Sequence, residues 1–136
     1  MSVIVAKRNE SAAQFITTAI ELLNYTTRMV TKFPKKYTFY GLHHTYELAQ
    51  MVVDDLIRAN SLYFNTAQTD NFKPRQELFD KAMGNLNCLT NHLGYIKGLV
   101  TTTTITDKQW LYWGILINQT LALTRKVKDS DAKRLK

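Results

Sequence analysis

Proline, glycine and cysteine are all scarce in this chain, and each scarcity excludes something. Two prolines and five glycines in 136 residues leave room for long uninterrupted helices, because the two strongest interrupters of helical geometry are nearly absent. The single cysteine, Cys88, cannot close an internal disulfide, which fits a reducing compartment. No apolar run approaches the roughly 20 residues needed to cross a bilayer. The four apolar residues Val3-Ile4-Val5-Ala6, followed at once by Lys7 and Arg8, are fewer than the core of an export signal requires. The expectation is a cytoplasmic protein with no membrane segment.

Catalytic and metal-binding signatures are missing as well. No glutamate has a histidine three residues later, so the carboxylate-bridged metal sites of some helical bundles have no counterpart. His43 and His44 are adjacent and diverge by about 100° on a helix, so they cannot chelate one ion together. His92 lies one residue off an apolar seam and reads as a flanking histidine. Asp54 and Asp55 look like an acid pair, but Asp54 is spaced four from Arg58 and a solvated ion pair accounts for it. Cys88 has no adjacent base in sequence and reads as a packed thiol. With neither a glycine-rich phosphate loop nor a nucleophile elbow, the chain reads as a non-enzyme with no cofactor.

Hydrophobic residues make up 45% and charged residues 21%, the balance of a folded domain rather than a disordered chain. A chain of this length buries about two-thirds of its unfolded surface in one domain. Residues 1–136 read as one such domain, with an N-terminal arm over 1–10 and a basic C-terminal tail over 126–136 that loses periodicity and is expected to fray.

Four segments carry helical periodicity. The first is expected to begin at Ser11, where Ser11 and Gln14 have the spacing of a capping box. Ala12, Ile16, Ala19, Leu23 and Val30 share one stripe, with Phe15, Leu22 and Met29 beside it. Pro34 lacks an N–H and disfavours helical geometry at Phe33, so this helix stops near Thr31. The second restarts around Phe39 to Leu42 on the stripe Leu42, Tyr46, Ala49, Val53 and Leu56, with Val52 and Ile57 alongside, and runs to about Tyr63.

A polar, aperiodic stretch over 65–71 reads as a loop. Pro74 then fits the first turn of a third helix, whose seam is Phe79, Ala82, Leu86, Leu89, Leu93 and Ile96. Gly98 is a candidate terminator, and the threonines from Thr101 to Thr104 form the connection. The fourth helix opens on a second capping box, Thr106 with Gln109, with Asp107 near the positive end of the dipole. Trp110, Trp113, Ile117 and Leu121 carry its apolar face, extended by Leu116 and Val127. Four helices of about 20 residues joined by short connections bury such stripes most simply as an all-α, antiparallel up-down four-helix bundle.

Charge is the other strong feature. The formal net charge is +7, which biases the chain towards polyanions. One concentration is the corner between the first two helices, where Arg28 and Lys32 share a face and Lys35 and Lys36 follow. In an up-down bundle this corner sits beside the connection between the third and fourth helices, near Lys97 and Lys108. The other is the tail from Arg125 to Lys136, at the opposite end. The corner admits two arrangements. Its lysines could track a phosphate backbone while the interleaved aromatics stack on bases. Alternatively Phe33, Tyr37 and Phe39 pack into the bundle end and the lysines keep the protein soluble. Arginine is scarce beside lysine, which favours sequence-tolerant contact. Tyr25, Tyr63, Tyr95, Tyr112 and the two tryptophans exceed what one thin core needs, which points to aromatic surface buried between subunits.

The corner Phe33-Pro34-Lys35-Lys36-Tyr37-Thr38-Phe39, the second-helix end Arg58-Ala59-Asn60-Ser61-Leu62-Tyr63 and the fourth-helix opening around Trp110 carry a family likeness. Arg8-Asn9-Glu10-Ser11 and Lys128-Asp129-Ser130-Asp131 add to it. Over nearly its whole length the chain resembles a four-helix-bundle family with two groups of members. One is the accessory variability determinant proteins of diversity-generating retroelements, and the other is the proteins encoded in ribosomal-RNA intervening sequences. The resemblance implies a homopentameric, barrel-like assembly with a basic surface. It also implies binding to a reverse transcriptase and to template RNA or its DNA copy, supporting mutagenic reverse transcription without catalysis. On this chain the implied contact residues are Lys32, Lys35, Lys36 and Arg58, and Arg28, which shares a helix face with Lys32, joins them as a candidate on its charge. The alternative is a protein–protein scaffold of the intervening-sequence type with no nucleic-acid role.

Overall fold

The computed structural model describes the backbone of residues 3–100 and 104–135, and the side chains of residues 14–39, 41–100 and 104–135. Four helices, α1 (Val3–Val30), α2 (Leu42–Asn60), α3 (Phe72–Leu99) and α4 (Asp107–Arg134), form an all-α, antiparallel up-down bundle. A 3₁₀ helix, Lys35–Tyr40, lies between α1 and α2. Each long helix packs closely on two others, α2 on α1 and α3, and α4 on α3 and α1, while Phe15 of α1 meets Phe79 of α3 edge-to-face across the diagonal at 5.9 Å.

The core follows from the apolar spacing. All six seam residues of α3, Phe79 to Ile96, are buried. They meet Leu48, Val52 and Leu56 of α2 and Trp113, Leu116 and Ile117 of α4. On α1 the buried line is Phe15, Ala19, Leu22 and Met29, while Ile16, Leu23 and Val30 flank it half-buried. Fully burying each of the larger of these side chains contributes roughly 1.5–3 kcal/mol. Several polar groups inside the bundle are paired across helices or within one. The Trp113 indole N–H donates to Thr26 Oγ1 at 2.9 Å, and the Thr120 and Thr124 hydroxyls donate to the Leu116 and Thr120 carbonyls at 2.8 Å each.

The helix ends are partly as expected. Thr106 and Gln109 form the reciprocal capping box with Asp107 in the first turn, and Pro74 occupies the first turn of α3. At the other ends the chain departs from expectation. α1 begins at Val3, so Ser11 lies within a helix rather than at its start, and no arm precedes it over residues 3–10; the side chains of Ser11 and Ala12 lie outside the described residues, as do Thr101, Thr102 and Thr103. α2 ends at Asn60, short of Tyr63, and Ile57 is exposed rather than packed.

α4 does not fray at Lys126 but continues to Arg134. Asp131, 3% exposed, accepts from Arg75 Nε at 2.5 Å, and Arg75 also donates to the Ala59 carbonyl at 3.1 Å. The guanidinium lies 5.1 Å from the Phe79 ring centroid, and that of Arg134 lies 4.6 Å from the Phe64 centroid. Lys128 is paired with Asp80. The last turns of α4 are thus clamped to the loop after α2 and to the start of α3.

Candidate functional site

The corner between α1 and α2 is built by local rules. After Val30 the chain closes a tight turn, with Lys32 N–H donating to the Met29 carbonyl at 3.0 Å. Pro34 follows in extended geometry (φ −59°, ψ 141°) and caps the 3₁₀ helix, whose first bond runs from Tyr37 N–H to the Pro34 carbonyl. Gly41 ends it at φ 136°, a conformation that L side chains rarely adopt. The Gly41 carbonyl then accepts from both the N–H and the hydroxyl of Thr45, at 2.8 and 2.7 Å, and so starts α2.

The corner's aromatics divide into two kinds. Phe33 is buried and meets Trp110 edge-to-face at 5.9 Å, and Trp110 stacks on Trp113 at 5.6 Å. Tyr37 is half-buried against the core. For these two, packing into the bundle end is what the structure shows. Phe39 is different: it is 97% exposed.

Arg28, Lys32, Lys35 and Lys36 come together at this end and all are exposed. None of the ion pairs among the described residues involves them. Lys36 Nζ lies 5.1 Å from the Tyr37 centroid and the Arg28 guanidinium 5.6 Å from that of Tyr25, contacts that orient a cation without neutralising it. Lys97 joins them from the end of α3, its Nζ 5.8 Å from the Trp110 ring.

Arg58 does not join this cluster. It sits in the last turn of α2, about 24 Å further along that helix than Leu42, and its guanidinium meets Asp55 at 3.4 Å. The expected Asp54–Arg58 pairing is therefore replaced by Asp55–Arg58: Asp55 is buried and also accepts from Asn85, while Asp54 points to solvent. Cys88, expected to be packed, is exposed.

The spacing of the carboxylates in the sequence accounts for the unneutralised charge at the corner. No Asp or Glu occurs between Glu21 and Glu47, nor between Asp80 and Asp107. The fold lays these two acid-free stretches side by side, because one contains the α1–α2 corner and the other the end of α3 and its connection to α4. The carboxylates gather instead towards the far end, where Asp80, Asp131 and Asp55 neutralise part of the cationic charge.

Behind the corner, His44 of α2 and His92 of α3 meet edge-to-face with centroids 4.6 Å apart. His92 Nδ1 is shielded from solvent and has no hydrogen-bond partner among the described residues. Burial, and then the nearby His44, hold its pKa below the ordinary value of 6.5. The described residues contain no group of three His, Cys, Asp or Glu placed to hold a metal ion. The seam between α3 and α4 opens into a groove of about 330 Å³ lined by Leu93, Gly94, Trp110, Leu111 and Gly114 among others. Leu111 is 65% exposed.

No helix among the described residues is long and apolar enough to cross a membrane. Comparison with protein families, with characterised proteins and with solved structures found no match to this chain.

Proposed function

We propose that this protein is a non-catalytic accessory factor of a diversity-generating retroelement. In this reading it binds a reverse transcriptase and template RNA or its DNA copy through a basic surface, and so supports mutagenic reverse transcription. The observation that carries the nucleic-acid part is the bundle end where Arg28, Lys32, Lys35 and Lys36 are exposed, outside every ion pair among the described residues, and flanked by two acid-free stretches. Such a surface attracts a phosphate backbone by releasing its counterions. The retroelement part rests on the resemblance of the corner, the α2 end and the α4 opening to that family. Arg58, at the far end and engaged with Asp55, leaves the proposed nucleic-acid surface and stays a candidate partner contact.

The same resemblance implies a homopentamer as the working form, and we propose separately that it acts in the cytoplasm. The α3–α4 groove, with exposed Leu111 and the open faces of Gly94 and Gly114, offers apolar surface for such self-association. That groove also favours a second reading, a protein–protein scaffold without a nucleic-acid role. Light scattering coupled to size exclusion, run with and without a structured RNA at low salt, separates the two. A pentamer that shifts with RNA supports the accessory role, and an oligomer indifferent to RNA supports the scaffold.

A further inference from the structure

We infer that the basic corner takes a single-stranded nucleic-acid segment and stacks one unpaired base on the ring of Phe39. This rests on the nucleic-acid reading above and specifies the form of polymer bound at that site.

The ring has no role in holding the fold together. Phe39 is 97% exposed, so it forgoes the stabilisation that burying a phenylalanine brings. Its neighbours in the corner sequence, Phe33 and Tyr37, take the packing positions. The 3₁₀ helix that presents it is fixed at both ends, by Pro34 and by the positive φ of Gly41, and is tethered to the core by Tyr37. In a 3₁₀ helix residues three apart eclipse one another, about 6 Å along the axis. Lys36 therefore lies one turn below Phe39 on the same face, and Lys35 opens the same 3₁₀ helix. A lysine placed next to a presented ring can hold the phosphate adjoining a stacked base.

The chemistry selects among polymers. In a duplex each base face is covered by its neighbours, so Phe39 would find nothing to stack on and only the lysines would engage. In a single strand the π-faces are available, and aromatic stacking is tolerant of sequence. A protein partner fits less well, because lysine is depleted at the centre of protein interfaces and this ring stands among exposed lysines.

Fluorescence anisotropy tests this with three polyanions: a labelled oligouridine of about 12 nucleotides, a blunt duplex of the same length, and inorganic polyphosphate as competitor. Phe39→Ala is expected to weaken oligouridine binding on the order of tenfold and to leave the duplex and polyphosphate unchanged. Phe39→Trp is expected to retain binding, with its indole emission quenched by the strand. Equal weakening towards all three polyanions, or no weakening towards oligouridine, overturns the inference. So does a Phe39→Ala variant that keeps RNA affinity but loses the reverse transcriptase, since the ring would then be a protein contact. If the wild-type protein binds none of the three, the nucleic-acid reading itself fails and this inference with it. Circular dichroism of both variants verifies that the helices are intact.

Discussion

Replacing Asp131 by alanine tests whether the C-terminal third of α4 is clamped or merely solvated. Asp131 is 3% exposed and is engaged by Arg75 and Arg134. Removing one partner of a buried ion pair leaves an uncompensated charge and costs about 3–5 kcal/mol. The lower figure applies here, because the Arg75 guanidinium keeps the Ala59 carbonyl and the Phe79 face. Alanine returns roughly 0.5 kcal/mol of helix propensity, and removing a carboxylate from the last turns of a helix returns roughly another 0.5 kcal/mol. The net loss is about 2 kcal/mol. At an unfolding entropy of about 2.1 cal/mol/K per residue, this lowers the Tm by about 7 °C. Thermal unfolding followed by circular dichroism reads it directly. The pair Arg75→Met with Asp131→Leu is expected to recover most of the loss, because apolar replacement of a buried ion pair is often neutral. A Tm within about 1 °C of wild type for Asp131→Ala would refute the clamp and restore a frayed tail.

Two further outcomes follow from the interior. Thr26→Val removes the acceptor for the buried Trp113 indole N–H and is expected to destabilise by about 2 kcal/mol, read from the urea midpoint; a loss under about 0.5 kcal/mol would match an ordinary surface substitution and contradict the assignment. His92, its pKa held below 6.5 by burial and by His44, is protonated more readily in the unfolded chain. Its contribution to stability is therefore present above about pH 6.5 and lost as pH falls below it. The urea midpoint should decline between about pH 7.5 and about pH 5.5, and less steeply in His92→Gln. Equal slopes in the two proteins would place the titrating group elsewhere.

Much of the bundle is legible in the sequence because its determinants are local. Pro34 stops α1, Thr106 with Gln109 starts α4, and the spacing from Phe79 to Ile96 defines a seam whatever it packs against. What escapes a sequence reading depends on distant partners. Asp131 reads as a solvated tail residue because its cation, Arg75, is 56 positions away. Asp54 and Asp55 are adjacent, and only the packing of α2 on α3 decides that Asp55 turns inward to Arg58 and Asn85. The Ser11–Gln14 pair has the spacing of a cap, but periodicity cannot reveal that the backbone is already helical from Val3. In the candidate site, the convergence of Lys32, Lys35 and Lys36 is inherent in the corner. The exclusion of Arg58 follows from the length of α2. The exposure of Phe39 beside a buried Phe33 needs the 3₁₀ geometry, which the residue types alone do not dictate.

The central claim is that the corner cations bind a phosphate backbone, and the salt dependence of single-stranded RNA affinity measures it most directly. If Arg28, Lys32, Lys35 and Lys36 each neutralise a phosphate, log K falls against log salt with a slope of about −2.8, a loss of roughly 50-fold between about 50 and about 200 mM salt. Replacing Lys35 and Lys36 by glutamine should bring the slope to about −1.4 while the helical signal stays unchanged. An affinity that does not vary with salt, or a slope that survives the double replacement, would contradict the account.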